Sequence, residues 1–196
     1  MINVSNLMTR HSNVFTKQQC KNIINWGLKN GNHEVPKTFD DSTRGTHRNA
    51  ELYFMNNKRL VKTIVPYVER ANKETWNVQL NFCEPLQMSY YKKGDFYTWH
   101  KDSFAKPEIF TQFKRTEPSL RKISFVIALN DRSEYEGGEL QLATGMHDNK
   151  FSAKSAELYS AGDIAIFPSM TEHRVTEVTK GKRFTLVGWL HGPPFI

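Results

Sequence analysis

The fold-deciding stretch is residues 91–102, Tyr91-Lys92-Lys93-Gly94-Asp95-Phe96-Tyr97-Thr98-Trp99-His100-Lys101-Asp102. A β-like run ends at Tyr91, a glycine turn follows, and the next extended segment leads into a His-x-Asp triplet. Residues two apart in an extended segment face the same side, so His100 and Asp102 can bind one metal ion together. The triplet alone is weak evidence, because short motifs recur by chance, and a surface loop with a charged pair is the competing interpretation.

A third candidate ligand lies downstream, where His173 follows a proline turn and opens another β-like segment. Two imidazoles and one carboxylate suit Fe(II) and leave coordination positions open for a co-substrate and dioxygen. We therefore predict an iron site at His100, Asp102 and His173; the alternative for His173 is a surface histidine beside Glu172. The remaining histidines lack comparable partners and are predicted to lie at the surface: His11, His33, His47, His147 and His191.

Arg183 opens the last β-like segment, in which Arg183, Thr185, Val187 and Trp189 share one face and Phe184, Leu186 and Leu190 share the other. An arginine on an apolar inward face is unfavourable unless an anion pairs with it. Its planar guanidinium matches a carboxylate bidentately. We expect Arg183 to bind the far carboxylate of a co-substrate, with an edge arginine facing solvent as the alternative.

Composition places the chain among ordinary globular proteins, with 196 residues, 38% hydrophobic and 24% charged. No apolar stretch has the length of a membrane span, and the first residues lack a signal-peptide pattern. Cys20 and Cys83 are expected to be free thiols, so we predict a cytoplasmic protein without membrane contact. The net charge of +7 admits an acidic partner such as nucleic acid, but similar charges are common in proteins that do not bind it.

The pattern of elements predicts an α+β, mainly β fold in a single domain, 1–196, with helical support in 1–80 and a β-core in 81–196. Thr16 and Gln19 fit a capping box before one helix, and Asn56 or Asn57 could cap a second, which Pro66 should kink or delay. Many short strands separated by turns indicate a sandwich or barrel. The predicted strands are 86–91, 120–130, 139–143, 163–167, 174–178 and 183–190.

The stretch 103–119 follows the ligand pair and shows no periodicity, which predicts a lid over the substrate. Basic residues lie in and after it. We expect Lys114 and Arg115 to be solvated and Arg121, beside Lys122, to face the substrate.

Taken together, these motifs resemble the prolyl 4-hydroxylase-like branch of the Fe(II)/2-oxoglutarate dioxygenases, which includes the PKHD-type hydroxylases. The resemblance rests on a Tyr-x-x-Gly-x-x-Tyr-x-x-His-x-Asp pattern in 91–102 and on further motifs that follow in order. These are Arg121 leading to Asn130, Tyr135-Glu136-Gly137-Gly138-Glu139-Leu140, His173-Arg174-Val175, Arg183 and Gly188-Trp189.

The resemblance implies a double-stranded β-helix, or jelly roll, buttressed by N-terminal helices. It implies Fe(II), 2-oxoglutarate and dioxygen as cofactors, with ascorbate as a further candidate, and no catalytic residues beyond the metal ligands. Arg183, Tyr91 and Thr185 would bind 2-oxoglutarate. Tyr97, Arg121 and Trp189 would line the substrate entrance. One departure concerns Ala128, which stands where some animal members carry a tyrosine that reaches the co-substrate, so that pocket is expected to be built differently.

The family's chemistry favours hydroxylation of a protein or peptide, at proline. Alternative targets are a free amino acid, a small metabolite or nucleic acid. Nucleic acid is less favoured, because the nucleic-acid demethylases of this superfamily carry a second arginine motif after the position of Arg183, and this sequence has none there. A non-catalytic, cupin-like binding module is the alternative from another functional class.

Overall fold

The computed structural model describes residues 7–34, 47–103 and 106–194, and the counts below refer to these residues. Its two α-helices begin where the capping patterns predict. Helix α1 (Lys17–Asn30) follows Thr16, whose Oγ1 accepts from the Gln19 amide while Gln19 Oε1 accepts from the Thr16 amide. Helix α2 (Lys58–Thr75) follows Asn57, whose Oδ1 accepts from the amides of Arg59 and Leu60.

Pro66 does not delay α2, and that part of the prediction is wrong. The helix runs continuously through Pro66 from its Asn57 cap. A proline inside a helix removes one hydrogen bond. Here the long apolar face of α2, which buries Ile64, Val68 and Ala71, favours the unbroken helix over a late start.

The strands form two principal antiparallel sheets. The larger sheet has the order β1 (Thr9–His11), β12 (Ile164–Pro168), β8 (Leu120–Ala128), β15 (Arg183–Gly192), β6 (Leu86–Tyr91), β4 (Glu51–Met55) and β2 (Asn32–Glu34), with β5 (Phe82–Cys83) also paired with β15. The smaller sheet has the order β11 (Lys150–Ser155), β10 (Leu140–His147), β13 (His173–Val175), β7 (Phe96–His100) and β3 (Arg48–Asn49). A separate pair joins β14 (Val178–Gly181) to β9 (Tyr135–Gly137).

Alternation along the strands builds two core layers. On β8, Phe125 and Ile127 belong to the cluster that packs against both helices, while Val126 and Ala128 belong to a second cluster. That second cluster includes Leu140 and Leu142 of the smaller sheet, so it fills the space between the sheets. The two antiparallel sheets face each other, and the helices cover the outer face of the larger one. This is the predicted jelly roll, and the fold prediction is confirmed.

The strands differ from the prediction in several respects: β5, β9 and β11 were not among the predicted strands, and β10 extends to His147. Residues 1–80, predicted as helical support, also supply β1 to β4, three of which have only two or three residues and thus too few positions to show an alternating pattern. The predicted strand 174–178 is split into β13 and β14. The chain turns there because the Thr176 amide donates to the Glu139 carbonyl and the Val178 amide donates to the Asp95 carbonyl.

Both cysteines are free thiols, as predicted. Burial raises the pKa of Cys20 to about 11 and that of Cys83 to about 12. Of the two helices within the described residues, neither has the length and apolarity needed to cross a membrane.

Candidate active site

The three predicted metal ligands meet at one cavity between the sheets. His100 ends β7 and His173 begins β13, and the two residues are directly paired in the antiparallel register. Asp102 lies two residues after His100, with its carboxylate 3.7 Å from His100 Nε2 and 3.4 Å from His173 Nε2. All three ligand atoms lie within 4.8 Å of one another, so a single ion can contact them all.

Both imidazole rings are oriented by the same local hydrogen bond. Nδ1 of His100 lies 2.8 Å from the Thr98 carbonyl oxygen, and Nδ1 of His173 lies 2.9 Å from the Thr171 carbonyl oxygen. A carbonyl only accepts, so each Nδ1 carries the hydrogen and each Nε2 presents a lone pair to the cavity. This arrangement is the one that metal-binding histidines usually have.

Asp102 is held by neighbouring serines. Ser124 Oγ donates to Asp102 Oδ2 at 2.7 Å and lies 2.9 Å from Ser169 Oγ. Since the single hydroxyl hydrogen of Ser124 is used on Asp102, Ser169 must be the donor in the second contact. The Ser169 carbonyl also accepts from the Asp102 and Ser103 amides, which fixes the backbone at the carboxylate.

The electrostatics of the cluster suit a metal ion. Burial and the neighbouring His173 lower the pKa of His100 to about 3, so this imidazole is neutral at neutral pH. Burial alone would raise the pKa of Asp102, but His173, His100, Arg121 and the Ser124 hydrogen bond hold it below its ordinary value. A neutral imidazole and an ionised carboxylate are the forms that bind metals.

Arg183 faces the same cavity from the larger sheet. The predicted face is confirmed, because Arg183, Thr185, Val187 and Trp189 all line the cavity. Leu186 and Leu190, by contrast, lie in the helix-side core, and Phe184 packs against it. Arg183 is only 3% exposed, and within the described part of the chain no carboxylate pairs with it. Its Nε has no hydrogen-bond partner among these residues, and its guanidinium lies 5.2 Å from the ring of Tyr91, its cross-strand neighbour on β6.

The residues predicted for the substrate entrance also line the cavity. Tyr97 stacks on His100 with ring centroids 3.5 Å apart. The Arg121 guanidinium lies 3.9 Å from the ring of Trp189 and donates two hydrogen bonds, of 2.6 and 2.8 Å, to the carboxylate of Glu84. Arg121 is therefore held in one orientation.

His191 is the clear error among the histidine predictions, since it is completely buried. Its Nε2 pairs with Glu84, its Nδ1 lies 3.2 Å from Ser119 Oγ, and its ring stacks on Phe82 at 4.5 Å. These partners satisfy an imidazole that would otherwise prefer water. Strand alternation from Trp189 does not indicate this burial, because the register of β15 shifts between Leu190 and His191. Of the other four, His33, His47 and His147 are exposed and His11 is partly buried.

Several cavity residues escaped the sequence-based reasoning. Ser89 and Gln87 share a strand face with Tyr91, and strand alternation could have indicated them. Ser124, which lies behind Asp102, was also missed; it shares a face of β8 with the cavity residue Val126. Arg48, whose guanidinium lies 4.4 Å from the Tyr97 ring, comes from a two-residue strand without any recognisable pattern.

The stretch 103–119 is largely irregular, with a short 3-10 turn at Thr111–Phe113 and a bridge between Glu108 and Ser119. Residues 104 and 105 lie outside the described residues, and the lid remains a prediction. Lys114 and Arg115 are exposed, as expected, whereas Lys122 is buried at 5% exposure.

Comparison with known proteins connects this cavity to one family. The model of the 2OG-Fe(II) oxygenase superfamily matches residues 86–191, more than half of the chain. A PKHD-type hydroxylase of Hyphomonas neptunium is 37% identical over 145 residues, covering 74% of this chain and 59% of that protein. A PKHD-type hydroxylase of Teredinibacter turnerae is 35% identical over 106 residues, covering 54% of this chain and 42% of that protein. The chain thus spans about half the length of these two relatives.

Solved structures share the fold at low sequence identity. A Pseudomonas putida prolyl-4-hydroxylase superposes with a TM-score of 0.67 at 18% identity, covering 97% of both chains. A second match is a prolyl hydroxylase of Trichoplax adhaerens in complex with a hypoxia inducible factor oxygen degradation domain peptide fragment. It superposes with a TM-score of 0.70 at 14% identity, covering 96% of this chain and 87% of that one.

Proposed function

Because the chain belongs to the 2OG-Fe(II) oxygenase superfamily, we propose that it is an Fe(II)- and 2-oxoglutarate-dependent dioxygenase that hydroxylates a protein or peptide substrate at proline. The single observation that carries the proposal is one cavity lined by both a His-Asp-His cluster and a buried arginine that pairs with no carboxylate of the described residues. The names of the relatives support the reaction type, and the peptide-bound prolyl hydroxylase of the same fold supports the substrate class.

The donor set fits ferrous iron. His100 and His173 would contribute imidazole nitrogens and Asp102 a carboxylate oxygen, and no cysteine lines the cavity. Two histidines and one carboxylate with open positions are typical of non-haem Fe(II) oxygenases, whereas structural zinc sites are usually closed by four protein ligands.

The pocket also fits a dicarboxylate. A buried guanidinium without a counter-ion is strongly unfavourable, and a carboxylate at this position would relieve the penalty. Arg183 would hold the far carboxylate of 2-oxoglutarate bidentately, with the Tyr91 hydroxyl and Thr185 as hydrogen-bonding neighbours. Ala128 lies in register beside Thr185 on the neighbouring strand, so the side chain next to Thr185 there is a small one.

When bound, Fe(II) supplies the redox chemistry by which dioxygen and 2-oxoglutarate yield succinate, carbon dioxide and one oxygen atom for the substrate. The chain supplies orientation and a dry environment. Val126, Leu140, Val175 and Val187 form apolar walls of the cavity that exclude water from the reacting groups.

Arg121 and Trp189 are the polar groups of the cavity that we assign to the substrate. Glu84 immobilises Arg121 above Trp189, and the buried Trp189 Nε1 has no hydrogen-bond partner among the described residues. We propose that Tyr97, Arg121 and Trp189 bind the substrate backbone next to the hydroxylated residue. A fixed donor array loses little conformational entropy when it binds an extended peptide.

The decisive experiment is a succinate-release assay with Fe(II) and 2-oxoglutarate, run with proline-containing peptides, free amino acids and oligonucleotides. Peptide-stimulated turnover, with a mass increase of one oxygen on proline, supports the proposal. Stimulation only by an amino acid or by nucleic acid overturns the substrate class. Metal binding without any succinate release identifies a cupin-like binding module instead.

A further inference from the structure

The loop between β9 and β10 places a glycine directly against the stem of Arg183. Gly138 adopts a φ of +60°, and a methyl group built on its α-carbon would lie 2.9 Å from Arg183 Cδ and 2.8 Å from Val178 Cγ2. Carbon atoms in folded proteins do not pack at such distances. The aliphatic part of Arg183 therefore occupies space that is available only because residue 138 has no side chain.

Two of the neighbours that the added methyl would meet are themselves buried. Val178 is fully buried, and Tyr135, whose ring would lie 3.5 Å from the added methyl, is 6% exposed and has the Arg132 guanidinium 4.9 Å from its centroid. Arg183 itself is 3% exposed. Displacement of Cδ is transmitted to the guanidinium, because only Nε separates the two.

We propose that Gly138 is a positioning residue for the co-substrate: its missing side chain determines where the Arg183 guanidinium lies, and so which carboxylate position the cavity recognises. This inference rests on the proposed function, in which Arg183 holds the far carboxylate of 2-oxoglutarate. Gly138 is not among the residues that line the cavity, whereas Arg183 is, so Gly138 acts only through Arg183.

A positive φ is the competing explanation for a glycine at this position, and the chain offers a matched control for it. Gly94 has a φ of +89°, and a methyl group there would meet nothing within 4 Å. Gly94→Ala therefore introduces the backbone strain without a contact. Gly137 is unsuitable as a control because its added methyl would lie 2.0 Å from the Glu177 carbonyl oxygen.

The test is calorimetric binding to the full chain loaded with Mn²⁺, which avoids turnover. Two probes are compared: 2-oxoglutarate and 2-oxobutanoate, a 2-oxo acid that lacks the far carboxylate. In Gly138→Ala we expect the affinity for 2-oxoglutarate to fall by about ten-fold or more and that for 2-oxobutanoate to change by less than about two-fold. Gly94→Ala should leave both affinities within about two-fold of the wild type.

The outcomes separate this inference from the proposed function. Wild-type protein that does not bind 2-oxoglutarate refutes the proposed function itself. Wild-type binding with an unchanged Gly138→Ala affinity refutes only the positioning role, and so does an equal loss for both probes, which indicates general damage to the site. If Gly138→Ala does not fold, Gly138→Ala combined with Val178→Ala removes the second contact and must show the same selective loss.

Discussion

Replacement of Ser124 by alanine tests how the carboxylate ligand is held. The Ser124 hydroxyl donates to Asp102 Oδ2 at 2.7 Å from a fully buried position, so water cannot readily replace it. Its loss should cost about 1.5–3 kcal/mol of folding stability. Loss of a hydrogen bond that orients a metal ligand typically lowers metal affinity by about 10- to 100-fold, which corresponds to about 1.4–2.8 kcal/mol, and we expect a decrease in that range.

Alanine variants of two further serines serve as comparisons for Ser124→Ala. Ser169→Ala removes the donor to Ser124 but leaves the Ser124–Asp102 bond in place, so its loss of affinity should be smaller. Ser89→Ala is the matched control, because Ser89 is also fully buried at the cavity but bonds with Gln87 rather than a candidate ligand.

The assay is calorimetric titration of each metal-free protein with Mn²⁺ at constant pH, with thermal unfolding as a check that all variants are folded. The expected order of dissociation constants is Ser124→Ala above Ser169→Ala, with Ser89→Ala close to the wild type. A folded Ser124→Ala protein with wild-type affinity would show that the hydrogen bond does not orient Asp102, and the reasoning would fail.

Three other changes address the remaining parts of the site. Asp102→Ala removes the one carboxylate among the candidate ligands, so succinate release should drop to that of the metal-free protein; full release would contradict the ligand assignment. Arg183→Met should raise the KM for 2-oxoglutarate roughly 10- to 100-fold with a smaller change in kcat, and an unchanged KM would contradict its role. Glu84→Gln should destabilise the protein by about 3 kcal/mol in urea unfolding, because the half-buried Arg121 and the buried His191 lose their carboxylate partner. Although burial raises the pKa of Glu84, hydrogen bonds from His191 and Arg121 hold it below its ordinary value of 4.5. The wild type should therefore lose this stabilisation as the pH falls below 4.5, whereas Glu84→Gln should not, and parallel pH profiles would refute the assignment.

Features set by neighbours in the sequence could be predicted. The capping box at Thr16 depends on residues three apart, and the shared face of Arg183, Thr185 and Trp189 depends only on strand alternation. Part of the candidate metal cluster could also be predicted, since two of its members, His100 and Asp102, lie two residues apart. The third member, His173, was predicted from its position after a proline turn at the start of a strand, although no local pattern links it to the other two.

Features set by strand pairing could not be predicted from local patterns. Glu84, Arg121 and His191 meet because β5 and β8 both pair with β15, which joins residues up to 107 positions apart. Viewed along the sequence, His191 is an isolated polar residue, and nothing nearby indicates its buried partners. The division of 174–178 likewise depends on distant carbonyls of Glu139 and Asp95.

The direct pairing of His100 with His173 has a thermodynamic consequence. An ion bound by both residues bridges two adjacent strands, and β13 has only three residues of its own. Any ligand that binds the folded state alone stabilises it by mass action. The bridge therefore couples metal occupancy to local opening of the smaller sheet, so that slow amide hydrogen exchange in β7 and β13 becomes a function of free metal concentration.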